Sequence, residues 1–280
     1  MNEASPFDLQ ALGAAAAGPR AILRVLHVLG HLSDHPEGCT LAQLCDALRL
    51  PKTTLFTMLR TLQAAGHLHA AAGVWRLGPE AIALGARMAA SARHAFPACA
   101  MEALEGLCRR TGETGILAVL TADGMNCRYV AVVESESWLR FSVERESTRP
   151  SYATGTGHAM LAWLAPGELR AILARVRFDR ITDKTVASKR ALAAALAKVR
   201  ADRVSTTDSG TVAGVLSVAA PIFDASGRVM AAISAGGPAA RMTPQLATIQ
   251  RAVRGAAEDV SRTLGLVGDW PAVPAQVAGP

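Results

Sequence analysis

The 280-residue sequence has no Cys-x-x-Cys pair, few aromatic residues and no apolar run of membrane-spanning length. Its five cysteines, Cys39, Cys45, Cys99, Cys108 and Cys127, are scattered. Without paired spacing they read as small buried hydrophobes of a reducing compartment, which excludes a disulfide framework or a zinc ribbon. Aromatics are 4% of the chain and hydrophobic residues 50%, so alanine and leucine must fill the cores. A spanning helix needs roughly 20 consecutive apolar residues, and the best candidates here are broken by Pro221 or by charges. No membrane partner is expected. The run Ala11–Pro19 follows Glu3 and Asp8 with no Lys or Arg before it, which is wrong for a signal peptide. A cytoplasmic location is expected.

Acidic residues are also missing from one region. Between Ala47 and Pro79 there is no Asp or Glu, while Arg49, Lys52, Arg60 and Arg76 fall there. The chain's net charge of +6 permits a nucleic-acid partner without demanding one. The local gap is more pointed, because each carboxylate on a surface that meets a duplex would repel it.

What is present divides the chain. Its length suits two domains of ordinary size. Residues 1–19 read as a disordered tail. Over 20–78 the order is helix, helix, tight turn, helix, hairpin. Ile22, Val25, Leu26 and Leu29 lie on one face of the first helix. Thr40 sits at an N-cap position before Leu41, Leu44, Cys45 and Leu48. Leu50 and Pro51 then open a third helix whose Leu55, Met58, Leu59 and Leu62 recur at helical spacing. Its other face carries Lys52, Thr53, Thr54, Thr57, Arg60 and Gln63. An ordinary solvated face has the same look. The short turn before it and the acid-free neighbourhood favour a helix-turn-helix, and two short runs around Gly73 make it winged. Residues 79–96 read as a linker helix, with Ile82, Leu84, Met88 and Ala92 as a thin apolar stripe and Pro97 ending it.

The remainder, 97–268, changes character. Asp123-Gly124 joins two strand-like runs, Trp138–Glu144 reads as a third strand, and two more flank Asp224–Gly227. "YATGTGHAMLAWL" is a glycine-bearing turn entering a helix, two further helices follow, and a closing amphipathic helix starts at Thr243-Pro244. Hairpins with grouped helices give an α+β domain with a largely antiparallel sheet. Residues 269–280, rich in Pro and Ala, read as a flexible tail.

Segments of both domains resemble one family. "RAILRVLHVL…LAQLCDALRLPKTTLFTMLRTLQAAGHL…VWRLGPEAIALGARM" resembles the winged helix-turn-helix of IclR-type bacterial transcription regulators. "YATGTGHAMLAWL" and "GVLSVAAPIFDASGRVMAAISAGGPAARMTP" resemble their GAF-like effector domain. The resemblance runs from about Arg20 to Leu266. It implies a homodimer or tetramer that binds double-stranded operator DNA and responds to a small organic effector, often a carboxylate, with no cofactor and no catalysis. On the DNA side, Thr53, Thr54 and Thr57 would enter the major groove. Lys52 and Arg60 would hold phosphates or reach guanine, and Arg49 and Arg76 would anchor the flanks. On the ligand side, unpaired N–H groups of Gly155, Thr156 and Gly157 would meet a carboxylate. The family's pocket positions match Gly155, Thr156, Asp208, Ser217, Ser234 and Gly236. Three features depart from the pattern: Ser217 stands where cysteine is usual, Gly236 where serine is common, and Asp208-Ser209-Gly210 replaces a more acidic stretch. They imply a roomier, less acidic pocket. The wing, "HAAAGVW", is mostly alanine where the family often carries charge.

Other readings carry less weight. His27, His31 and His35 are spaced by four, but His35 falls in a loop-like stretch, so at most two share a face and no metal is expected. "GTGHAM" lacks the third glycine of a dinucleotide fingerprint. Ser151, His158 and Asp208 make a conceivable triad without a nucleophile elbow, and His158 is expected near the ligand mouth. The alternative function is a small-molecule sensor or enzyme that uses the second domain without specific DNA binding.

Overall fold

The computed structural model describes residues 20–271. The tail reading for 1–19, and that for 272–280, lies outside the described residues. The chain forms two compact units, Met1–Ser91 and Ala92–Pro280.

In the first unit, α1 (Arg20–Ser33) is followed by β1 (Cys39–Thr40), α2 (Leu41–Leu48), α3 (Lys52–Ala64), β2 (Leu68–Ala71) and β3 (Val74–Leu77). Thr40 caps α2 with a capping box: its side chain accepts from the Gln43 N–H while Gln43 reaches back to the Thr40 N–H. Arg49 ends α2 in the left-handed region at φ 50°. The strands form a three-stranded sheet in the order β1-β3-β2, all antiparallel. The β2–β3 turn, Ala72-Gly73, has both φ angles positive, the geometry that matches the twist of a two-residue hairpin.

One core serves this unit: Val28 and Leu32 of α1, Cys39, Leu44, then Leu55, Leu59 and Leu62 of α3, with Leu68 and Trp75. Burying a leucine contributes about 1.5–3 kcal/mol, so the α3 seam alone fixes the rotation of that helix. The face expected for α1 is rotated. Val25 and Leu29 of that face do pack against this core, but Ile22 and Leu26 are 60% and 51% exposed, and Val28 and Leu32 are the fully buried residues. Both sets have helical spacing, so periodicity alone could not choose between them.

α4 spans Pro79–Thr111, which corrects the linker helix expected to stop at residue 96. The helix runs through Pro97. Proline costs an interior helix one hydrogen bond and a steric clash, about 3 kcal/mol. Here Ala100, Leu104 and Leu107 lie buried in the second unit's core, and tertiary packing overrides the local breaker.

The second unit continues with β4 (Thr114–Leu120), β5 (Asn126–Val133), β6 (Thr148–Pro150), α5 (Gly155–Leu161), α6 (Pro166–Arg175), α7 (Lys189–Asp202), β7 (Ser205–Asp208), β8 (Val215–Phe223), β9 (Val229–Pro238), α8 (Ala239–Met242), a 3₁₀ turn over Thr243–Gln245, and α9 (Leu246–Thr263). Six antiparallel strands stand in the order β6-β5-β4-β9-β8-β7. The period of two sorts their side chains. Leu117, Leu216, Val218, Ala220, Ile222, Ala231, Ile233 and Ala235 join Val253, Ala257 and Val260 of α9 in one core. Ile116, Ala118, Cys127, Tyr129, Ala219 and Ala232 pack with Ala159 and Met160 of α5.

Three further expectations are corrected. Trp138–Glu144 is not a strand; β6 pairs with β5 in its place. Thr243 is already helical (φ −56°, ψ −46°) behind α8, so it does not cap α9. Ordered chain also passes residue 268. Asp269 accepts two bonds from Arg203 at 2.5 and 2.7 Å, and the Trp270 ring meets Phe223 and Trp163 at 5.3 and 5.6 Å.

Candidate nucleic-acid interface and ligand cavity

With Leu55, Leu59 and Leu62 sealed inward, the opposite side of α3 is set. Lys52, Thr53, Thr54, Thr57 and Arg60 are all exposed. The Thr57 hydroxyl donates to the Thr53 carbonyl at 3.0 Å, which leaves its oxygen able to accept. Arg60 donates to Gln63 at 3.2 Å. Among the described residues, no carboxylate pairs with Arg49, Lys52, Arg60 or Arg76. Arg49 is exposed at the turn before α3. Arg76 is half-buried on β3 opposite His69. The wing tip, Ala71–Gly73, is exposed and uncharged. Sequence reasoning missed Phe56, which is 47% exposed on the same helix; its place between Thr53 and Arg60, at three and four residues, was the available signal.

In the second unit a cavity of about 30 Å³ lies between the N-terminal end of α5 and the sheet. Gly155 and Thr156 line it from the helix, Ser217 and Ser234 from the sheet. Those serines share the α5 face because β8 and β9 alternate: Ser234 stands opposite Ile116 and Ala219, Ser217 opposite Gly236 and Thr207. Tyr129, Phe141 and Thr207, not anticipated from sequence, complete much of the wall. Tyr129 follows from alternation with Cys127 along β5, and Thr207 from its register with Ser217. Burial pushes the Tyr129 phenol up to about 12 and the Cys127 thiol up to about 11, so both are neutral. Among the described residues, no charged side chain lines the cavity. Its polar character comes from hydroxyls.

Three expected ligand residues stand elsewhere. The Gly157 N–H is bonded to the Thr154 hydroxyl at 3.0 Å, and a Cβ at Gly157 would fall 2.0 Å from the Ser151 carbonyl oxygen. Glycine is needed there for backbone approach rather than for a ligand. Asp208 pairs with Lys184 and accepts from Ser209 at 2.7 Å, 40% exposed and outside the wall. Gly236 faces the Phe141 ring, with its Cβ position 3.1 Å from Cδ1. That ring stands where a side chain at 236 would project, and the cavity is small.

The triad is not assembled. Ser151 donates to Gly124 at 2.9 Å, and the His158 Nε2–H donates to the Tyr152 carbonyl at 2.6 Å. Burial pushes the His158 imidazole below its ordinary value; it is a neutral core residue and is not part of the cavity wall.

Residues 21–70 match the family described as "IclR helix-turn-helix domain", and residues 88–262 match "Bacterial transcriptional regulator IclR C-terminal". The chain is 31% identical over 249 residues to HTH-type transcriptional regulator BhcR of Paracoccus denitrificans, covering 88% of each chain. It is 29% identical over 260 residues to HTH-type transcriptional repressor AllR of Escherichia coli, covering 92% of this chain and 94% of that one. Among solved structures, a putative IclR transcriptional regulator from Silicibacter sp. aligns with TM-score 0.77 at 26% identity, over 90% of this chain and 99% of the other.

Proposed function

This chain belongs to the IclR family of bacterial transcriptional regulators, and from that premise we propose how it reads DNA and what its cavity senses. Its relatives are regulators and not enzymes, and no helix among the described residues is long and apolar enough to cross a membrane. The chain acts in the cytoplasm on operator DNA. Thr53, Thr54 and Thr57 meet base edges in the major groove, where hydroxyls exchange hydrogen bonds and methyls touch thymine. Lys52 and Arg60 take phosphates, with Arg49 and Arg76 beside them. The observation that carries this reading is the division of α3: a leucine seam sealed inside and a threonine, lysine and arginine face left exposed without acidic partners.

The effector cavity beneath α5 takes a small organic molecule bonded by hydroxyls, a carboxylate being the form we favour. With no cation in the wall, the hydroxyls of Thr156, Thr207, Ser217 and Ser234 supply the donors. Its small volume means that the wall must shift to admit anything beyond a few atoms. An effector changes DNA affinity only if it binds one quaternary arrangement better than another. A tenfold change needs a difference of about 1.4 kcal/mol. The assembly of two or four copies rests on the family resemblance.

A mobility-shift assay on the DNA upstream of the chain's own gene tests this, with and without a panel of aliphatic and aromatic acids. We expect a specific shift that survives competitor DNA, is lost in Thr54→Ala/Arg60→Ala and responds to at least one acid. An equal shift by wild type and double variant would remove the DNA assignment. Calorimetry with no binding across the panel would remove the carboxylate.

A further inference from the structure

Where α1 ends, the chain doubles back in a way the DNA and effector readings do not use. The Asp34 N–H bonds to the Gly30 carbonyl at 3.3 Å, the His35 N–H to Leu32 at 3.3 Å, and the Gly38 N–H to His35 at 2.8 Å. Gly38 takes φ +86° to make that return. The tight path folds His35 onto His31: their rings stack with centroids 4.3 Å apart and planes 28° apart. The next residue after the return, Cys39, is buried in β1, paired in register with Trp75. One donor atom from each of His31, His35 and Cys39 lies within 4.8 Å of the other two. We propose that these three side chains form a binding site for one zinc ion, with a fourth position left to water.

Three features support it. First, the His35 Nδ1–H donates to the His31 carbonyl at 2.8 Å. That bond fixes the tautomer that presents a lone pair at Nε2, the arrangement by which protein ligands to zinc are normally oriented. Second, two imidazoles and a thiolate are a borderline-soft donor set. It suits zinc and disfavours magnesium or calcium, which require oxygen. Third, a tetrahedral zinc with these ligands sets donor atoms about 3.5 Å apart, so the side chains need to close by roughly an ångström, within reach of small torsional changes. On binding, the Cys39 S–H bond breaks, its proton leaves to water, and the sulfur's electron pair forms the S–Zn bond. Asp34 and Glu37, the acidic side chains that face this cluster, offset the added charge.

The ion would join the end of α1 to β1. Through the Cys39 and Trp75 pairing it would also join α1 to the wing strand, one residue before the Thr40 cap of α2.

The test uses the full-length chain without a histidine tag, stripped with chelator and reloaded with Co²⁺ as a spectroscopic probe. We expect one ion per chain to survive dialysis, with a thiolate-to-cobalt charge-transfer band and the visible bands of a tetrahedral field, all bleached by equimolar Zn²⁺. Cys39→Ser should lose the bands and the retained ion, while Cys45→Ser, in the same unit, keeps both. Because Cys39 is a core residue, His31→Asn/His35→Asn provides a second arm on half-buried side chains, with circular dichroism confirming the fold. Loss of the ion in that folded variant supports the site. No stoichiometric cobalt in wild type, or bands persisting in Cys39→Ser or in the double histidine variant, would overturn it.

Discussion

The two units hold their polar groups in opposite ways. On α3 the threonines, Lys52 and Arg60 lie in solvent and need no partner inside the protein. Around α5 every residue from Gly155 to Leu161 is buried, and each hydroxyl there has to find a bond or lose solvation, at about 1–3 kcal/mol for a group left unmade. Thr154 donates to the Cys127 sulfur at 3.6 Å, and Ser234 to the Ile116 carbonyl at only 3.4 Å. On the proposed reading, a duplex is too large to be enclosed, so the surface that would read it is an open one, whereas a small molecule would be held by being surrounded. The contrast predicts which substitutions act through folding and which through recognition.

The largest effect separates two glycines of one motif. Gly157→Ala places a methyl 2.0 Å from the Ser151 carbonyl oxygen, a backbone clash with no flexible end to yield. We expect a loss of about 3 kcal/mol or more in denaturant unfolding. Gly155→Ala points instead into the cavity, 2.9 Å from the Ser217 Oγ and 3.1 Å from the Thr207 Oγ1, both ends of side chains that can rotate. It should fold with nearly wild-type stability, bind DNA, and lose its response to effector. If both variants unfold alike, the cavity is a packing defect and the contrast between the units fails.

The exposed face gives a smaller, purely electrostatic effect. Lys52→Ala and Arg60→Ala should leave thermal stability unchanged, since neither side chain holds a buried group. If each contacts a phosphate, each removes about 0.9 from the slope of log affinity against log salt. Measured by fluorescence anisotropy from low to moderate salt, the double variant should lose nearly two units. A slope equal to wild type would place the duplex on another surface.

The same contrast explains what the sequence could tell. The α3 pattern is local: leucines at helical spacing fix the seam, and whatever lies between them must face out. Both main hairpins of the second unit were also legible, because Asp123-Gly124 and Asp224–Gly227 are turn chemistry within a few residues. The α1 face was legible only in part: Val25 and Leu29 pack as expected, but Ile22/Leu26 and Val28/Leu32 are equally periodic and only tertiary packing chooses between them. Trp138–Glu144 alternates like a strand yet finds no partner in the sheet, a fact that lives in pairing rather than in composition. The cavity wall draws on six separate stretches of chain, so motif matching found its glycine turn and two serines but not Tyr129 or Phe141. His35 reads as a loop residue for the same reason: the return that lays it on His31 depends on Gly38 and on the pairing of β1 with β3.

Asp208 gives the finest test, because register alone decides it. On β7, Thr207 stands opposite Ser217 and points to the cavity side, while Asp208 stands opposite Leu216, which faces the α9 core side. The aspartate is therefore one residue out of phase with the wall and reaches Lys184 at the surface. The Lys184 ammonium, then the Ser209 hydroxyl, hold its carboxyl below the ordinary carboxylate range. A carboxyl depressed in the folded state adds stability that is complete above the unfolded value, near pH 3.9, and is lost as pH falls through the folded value. The stability gap between wild type and Asp208→Asn should thus be constant from about pH 5 to 8 and shrink only below about pH 4. It should be small throughout, because the pair is solvated, with side-chain exposures of 59% and 40%. At neutral pH Asp208→Asn should keep its effector response while Thr207→Val alters it. The reverse result would mean that the ligand sits against Lys184 and Asp208 outside the wall, and the buried hydroxyls would then have to be read as structure.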